Sequence, residues 1–276
     1  MTATPGDAPI PALAVRELRG GTAGSTPLVL LHGFPVDSRM WESTVAQLPV
    51  DRTVLGVDLP GLGGSADVDL PAPPGLEAAA DAVAQALAAR GVERAVVAGL
   101  SMGGYVALAL LERHPDLIAG LGLLDTKATA DDDDARLNRL RIADAVEETG
   151  SVAEVLPMGT ALLGESTRAA RPTLAATLTA WIEDQQPAGV AWSQRAMAAR
   201  PDRGHLLREF HGPALVLVGD EDQVTPAAVA EAMAEALPAG QLVVVVRSGH
   251  MTAVEDPAAV AAALGDLAQR VDTVND

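Results

Sequence analysis

Gly99-Leu100-Ser101-Met102-Gly103 sets a serine between two glycines, and its flanks decide what that means. The apolar run Ala95–Ala98 before it suits a buried strand, and the run Gly104–Leu111 after it suits a buried helix. Strand, sharp turn and helix is the setting in which Gly-x-Ser-x-Gly holds a nucleophilic serine. The turn is strained and leaves no room for side chains on either side, hence the glycines. Ser101 Oγ is expected to project from the top of a sheet, at a helix N-terminus. An ordinary loop serine would not need both flanks.

The rest of the chain repeats this rhythm. Residues 1–11 hold three prolines and read as a loose arm. Strands are expected at Ala12–Leu18, Pro27–Leu31, Thr53–Val57 and Leu117–Leu124, and again at Ala214–Val218 and Gln241–Val246. Helices are expected at Ser38–Leu48, with Ser38 as N-cap, at Gly75–Arg90, Ala227–Ala236 and Pro257–Val271, and the last residues from Thr273 as a frayed end. Strands alternating with helices imply an α/β fold with a mostly parallel, doubly wound sheet. The rhythm stops after Asp125. Residues 126–206 show no strand, only helical spacing at Arg136–Glu148, Val152–Leu163, Arg168–Trp181 and Trp192–Arg200, which makes this stretch a helical insertion.

Composition removes several function classes. The chain has 276 residues, the size of one large α/β domain. A net charge of −18 repels nucleic acid phosphates and offers no basic patch to an anionic membrane. There is no cysteine, so no disulfide framework, thiolate metal site or cysteine nucleophile. The first residues lack the basic and apolar regions of a signal peptide, and no apolar run approaches the ~20 residues of a membrane span. The expectation is a cytoplasmic protein acting on a small molecule, with neither nucleic acid nor membrane as partner.

A serine hydroxyl needs a base, and an imidazole base needs an orienting carboxylate. His250, in Ser248-Gly249-His250-Met251, follows the last expected strand. Asp220 and Asp222 both follow the strand before it, and composition does not separate them. The loop His32-Gly33-Phe34-Pro35 follows an early strand, where the second oxyanion donor arises in serine enzymes of this build. The expected donors are the backbone N–H groups of Phe34 and Met102, with His32 fixing the loop. The other histidines show no metal-ligand spacing. Gly61-Leu62-Gly63-Gly64-Ser65 does not open onto a helix with a lysine, which argues against a phosphate cradle. Trp181 and Trp192, in the insertion, are candidates to line a substrate pocket.

These blocks, together with Asp58-Leu59-Pro60-Gly61 and Gly219-Asp220-Glu221-Asp222, resemble the α/β-hydrolase fold superfamily. Within it the chain looks like the branch of 3-oxoadipate enol-lactonases and small carboxylesterases. The resemblance implies a core formed by residues 1–125 and 206–276, with residues 126–205 as a cap. It places the acid on Asp222, with Asp125 as a less favoured substitute. It implies a serine hydrolase cleaving a small carboxylic ester or lactone through an acyl-enzyme, with no cofactor or metal. A C–C bond hydrolase, a cofactor-free perhydrolase and a non-catalytic ligand-binding protein share this framework and stand as alternatives. The insertion's Ala- and Leu-rich helices imply an apolar pocket. A lactonase acting on an acid would instead need a carboxylate clamp, for which Arg136, Arg139, Arg141, Arg195 and Arg200 are available.

Overall fold

The computed structural model of the protein describes residues 12–22 and 24–275. The expected arm at residues 1–11 lies outside the described residues. Seven strands form one sheet: β1 (Val15–Arg19), β2 (Leu28–Leu31), β3 (Val54–Val57), β4 (Ala95–Leu100), β5 (Ile118–Leu124), β6 (Ala214–Gly219) and β7 (Gly240–Val245). Their order is β1-β3-β2-β4-β5-β6-β7. β1 runs antiparallel to β3, and every other neighbouring pair is parallel.

Every residue of β2, β3, β4, β5 and β6 is buried, whichever side it faces. That is the signature of a parallel sheet covered on both faces. The helix Met102–Arg113 packs on β2, β4 and β5 with Leu76–Ala88 beside it, and Pro257–Asn275 packs across β4 to β7. The outer strands β1 and β7 carry the exposed positions. β2 lies between β3 and β4, so the chain leaves it in both directions, and the crevice beyond its carboxyl end is where such sheets bind ligands.

Several boundaries depart from the sequence reading, each for a local reason. Asp37, not Ser38, is the N-cap of the first helical segment, because its carboxylate accepts the Arg39 amide. That segment is a 3₁₀ turn, Ser38–Trp41, followed by Glu42–Val45, rather than one helix to Leu48. Pro157 splits the expected Val152–Leu163 helix into Ala153–Val155 and Met158–Ala161. Pro172 splits Arg168–Trp181 into Glu165–Ala170 and Pro172–Glu183, since proline disfavours helical geometry in the residue before it. Pro187 opens the helix expected at Trp192–Arg200 early, as Pro187–Ala199. The final helix continues to Asn275 instead of fraying at Thr273.

The segment between β5 and β6 is helix and turn throughout, its longest member being Asp133–Thr149. The helix Gly204–Glu209 straddles the boundary expected at residue 205. No helix among the described residues is long and apolar enough to cross a membrane.

Candidate active site

The turn after β4 shows why its sequence must be Gly-x-Ser-x-Gly. Ser101 sits at φ 53°, ψ −112°, a conformation that few side-chain-bearing residues adopt. A Cβ on Gly99 would lie 2.1 Å from the Gly103 carbonyl oxygen, and one on Gly103 would lie 2.2 Å from that of Leu31. The strained serine is held from several sides. Its amide donates to Leu124 O at 2.9 Å, and its carbonyl accepts the Thr126 hydroxyl at 2.8 Å. Asp125 and Arg247, beyond the ends of β5 and β7, are the other non-glycine residues of positive φ among the described residues. Such strain gathers at functional sites because the surrounding structure must hold it.

Three side chains from separate strand ends meet. His250 Nε2 lies 2.8 Å from Ser101 Oγ, across 149 residues of sequence. His250 Nδ1 lies 2.8 Å from Asp222 Oδ2. Asp222 also accepts the Val224 amide at 2.7 Å, the Thr225 amide at 3.0 Å and the Thr225 hydroxyl at 2.7 Å. Burial pushes the Asp222 carboxyl up, but its contacts with His250 and Thr225 outweigh that and hold it below the usual carboxylate range. Thr225 went unnoticed in the sequence; the signal was a Thr three residues after an Asp at a turn.

Asp125 is fully buried beside this group, but its carboxylate hydrogen-bonds Gly219 and Thr252 rather than His250. It accepts the Gly219 amide at 3.1 Å and the Thr252 hydroxyl at 2.5 Å. Burial, aided by the Asp222 charge, pushes its carboxyl well above the usual range.

Phe34 and Met102 follow β2 and β4, on neighbouring strands. Neither backbone N–H donates to a partner among the described residues. His32 fixes the first loop: Nε2 accepts the Leu59 amide and Nδ1 meets Gly33 O, both at 2.9 Å. The glycine-rich stretch is used internally, with the Gly64 amide on Asp58 and the Gly63 amide on Gln185.

The two tryptophans tie the helices between β5 and β6 to loops that follow β2 and β3. Trp192 Nε1 donates to Pro71 O at 2.7 Å, and Trp181 lies under the Arg39 guanidinium at 5.8 Å. Gln185 bridges the Gly63 amide and Asp37, at 2.9 Å each. Burial pushes the Asp37 carboxyl up, but Arg39 and Gln185 bring it below its usual value. Of the clamp candidates, Arg200 and Arg139 pair with Asp131, Arg141 with Glu154, and Arg195 with Asp144 and Glu147. Arg136 is exposed. Among the described residues no group of His, Asp and Glu converges as a metal site requires.

A family model described as alpha/beta hydrolase fold matches residues 26–257. The chain belongs to the alpha/beta hydrolase fold family. An esterase from Thermogutta terrifontis superposes with a TM-score of 0.85 at 36% identity, covering 94% of this chain and 93% of that one. A pimeloyl-[acyl-carrier protein] methyl ester esterase from Neisseria meningitidis is 30% identical over 93% of this chain and 98% of its own length. A 2-succinyl-6-hydroxy-2,4-cyclohexadiene-1-carboxylate synthase from Enterobacter is 31% identical over 91% of this chain and 95% of its own. The esterase side of the resemblance is thus present both in sequence and in structure.

Proposed function

We propose that the chain is a serine hydrolase that cleaves a carboxylic ester or lactone of a small molecule. The observation that carries this reading is the Ser101 Oγ–His250 Nε2 contact of 2.8 Å with Asp222 on the other imidazole nitrogen. Ser101 Oγ attacks the carbonyl carbon while His250 Nε2 takes its proton. The Phe34 and Met102 amides, free of other partners among the described residues, receive the oxyanion. Collapse breaks the C–O bond, and the departing alkoxide takes the proton back from His250. Water, deprotonated by His250, then attacks the acyl-enzyme, releasing the acid and restoring Ser101. Asp222 holds the ring and stabilises its cation. None of these steps draws on a metal or cofactor.

Residues 126–205 form the cap in this reading, joined to the core through Trp192, Trp181 and Gln185. The commitment of Arg139, Arg141, Arg195 and Arg200 to carboxylates of their own supports an uncharged substrate. One relative bears a synthase name, and this fold hosts many chemistries, so the reaction must be read from turnover. The test is a panel of aryl esters, alkyl esters, lactones and a vinylogous diketone, each with and without peroxide. Ester or lactone hydrolysis that vanishes in Ser101→Ala is expected. Cleavage of the diketone alone, or peroxide-dependent turnover alone, would replace ester hydrolysis with the corresponding alternative. Binding without turnover of any compound would make the protein a ligand-binding member of the family.

A further inference from the structure

The loop that carries His250 has every amide from residue 247 to 252 hydrogen-bonded, and five of the six go to carboxylates. Asp220 accepts Arg247 N at 2.6 Å and Ser248 N at 3.4 Å. Glu255 accepts Gly249 N and Met251 N, each at 3.0 Å. Asp125 accepts Thr252 N at 3.1 Å. The His250 amide itself donates to Leu162 O, in the insertion, at 2.9 Å.

Glu255 stands apart within this set. It is buried, at 4% exposure, and its two oxygens take the amides on either side of His250. The oxygen that takes Gly249 also takes the Gly164 amide of the insertion, at 2.9 Å. One atom can serve both because the two glycines touch: a Cβ on Gly249 would lie 2.3 Å from Gly164 N. Within the short Thr252–Glu255 turn, Glu255 takes only the amide of the N-cap, Met251. The reach to Gly249 and Gly164 goes beyond that turn.

We propose that Glu255 is a positioning residue for His250: by clamping residues 249 and 251 and holding them to Gly164, it sets where the imidazole stands between Ser101 and Asp222. The inference rests on His250 being the base. Backbone placement fixes where Nε2 lies, and displacements of about 1 Å cost up to ~10²-fold in rate. A glutamine cannot replace this carboxylate, since one of its two ends is a donor and would meet an N–H.

The experiment compares Glu255→Gln, Glu255→Asp, Asp256→Asn and His250→Ala by kcat and KM on one ester, by fluorophosphonate labelling rate, and by thermal melting. Among the described residues the Asp256 carboxylate accepts only the Ala259 amide of the next helix, so its variant reports lost stability without reaching the histidine loop. Glu255→Gln should lower kcat and labelling rate together, by about 10- to 100-fold, with KM within about threefold. Glu255→Asp keeps the charge but is one methylene shorter, and should fall between Gln and wild type; it also serves if the Gln variant does not fold. Asp256→Asn should keep its kcat. The low-field proton resonance of His250 Nδ1–H should shift in Glu255→Gln and stay in place in Asp256→Asn. Wild-type kcat and an unmoved resonance in folded Glu255→Gln, or in Glu255→Asp should only that fold, would overturn the proposal. If His250→Ala stays active, it is the serine–histidine reading that fails.

Discussion

Asp220 accepts the Arg247 amide at 2.6 Å, so it acts on the backbone of the histidine loop and not on the imidazole. Asp222, two residues on, faces His250 Nδ1. Two carboxylates that composition left equivalent therefore hold different positions. Asp222→Asn should lower kcat by up to ~10⁴ without unfolding the protein. Asp220→Asn should cost far less. Steady-state kinetics with circular dichroism on both variants decides this, and the reverse order would move the orienting role to Asp220.

Gly103 lies against the backbone of Leu31, with no space for a methyl group. Gly103→Ala should lower stability by at least about 3 kcal/mol, because the obstructing atoms are main chain and have nowhere to go. Gly91→Ala is a useful contrast, since nothing lies within 4 Å and only its positive φ of 73° opposes a side chain. Its cost should stay near 1 kcal/mol. Urea unfolding of the pair measures both. Equal losses would mean that the turn after β4 relaxes more than its packing allows.

How far the sequence reached follows from which interactions are local. Ser101 and His250 were legible because their signals, glycines and strand ends, lie within a few residues of each. The sheet was legible because unbroken apolar runs have few alternatives. Pro157 and Pro172 are visible in the sequence, and each stands at the start of a new helix where apolar spacing alone runs on. Glu255-Asp256-Pro257 is a visible motif after the histidine loop, but what Glu255 holds is not legible from it, because only the fold brings Gly164 to it, 91 residues away. Gln185 was hidden likewise, since its partners Asp37 and Gly63 lie 148 and 122 residues distant.

Asp131 lies among Arg200, Arg139 and Lys127, and Arg200 also stacks over Tyr105 at 4.1 Å. Burial raises the Asp131 carboxyl, but Arg200 and Arg139 outweigh it and hold it well below the usual range. A carboxyl depressed on folding contributes stability above its unfolded value of about 3.9, and that contribution is lost as pH falls further. Asp131→Asn leaves the buried Arg200 charge without its partner and should cost about 3 kcal/mol at pH 7. Urea midpoints from pH 7 down to pH 3 should fall for wild type below about pH 4 and fall less steeply for the variant. Parallel curves would remove Asp131 from the acid sensitivity.

Trp192 is anchored by its indole N–H on Pro71. Trp192→Phe keeps an aromatic ring but loses the bond and part of the buried indole's volume, so it should cost about 1–3 kcal/mol of stability. If the anchoring role is the whole of it, KM for a small neutral ester should change by less than about threefold. A large rise in KM with unchanged melting would instead put the indole against substrate.

The central claim is that Ser101 is the nucleophile, and covalent capture tests it most directly. The protein should be treated with a fluorophosphonate, its intact mass measured, and the modified peptide mapped. One adduct on Ser101 is expected, absent in Ser101→Ala and formed far more slowly in His250→Ala. An adduct on another residue, or an unlabelled protein that still hydrolyses esters, would contradict the account.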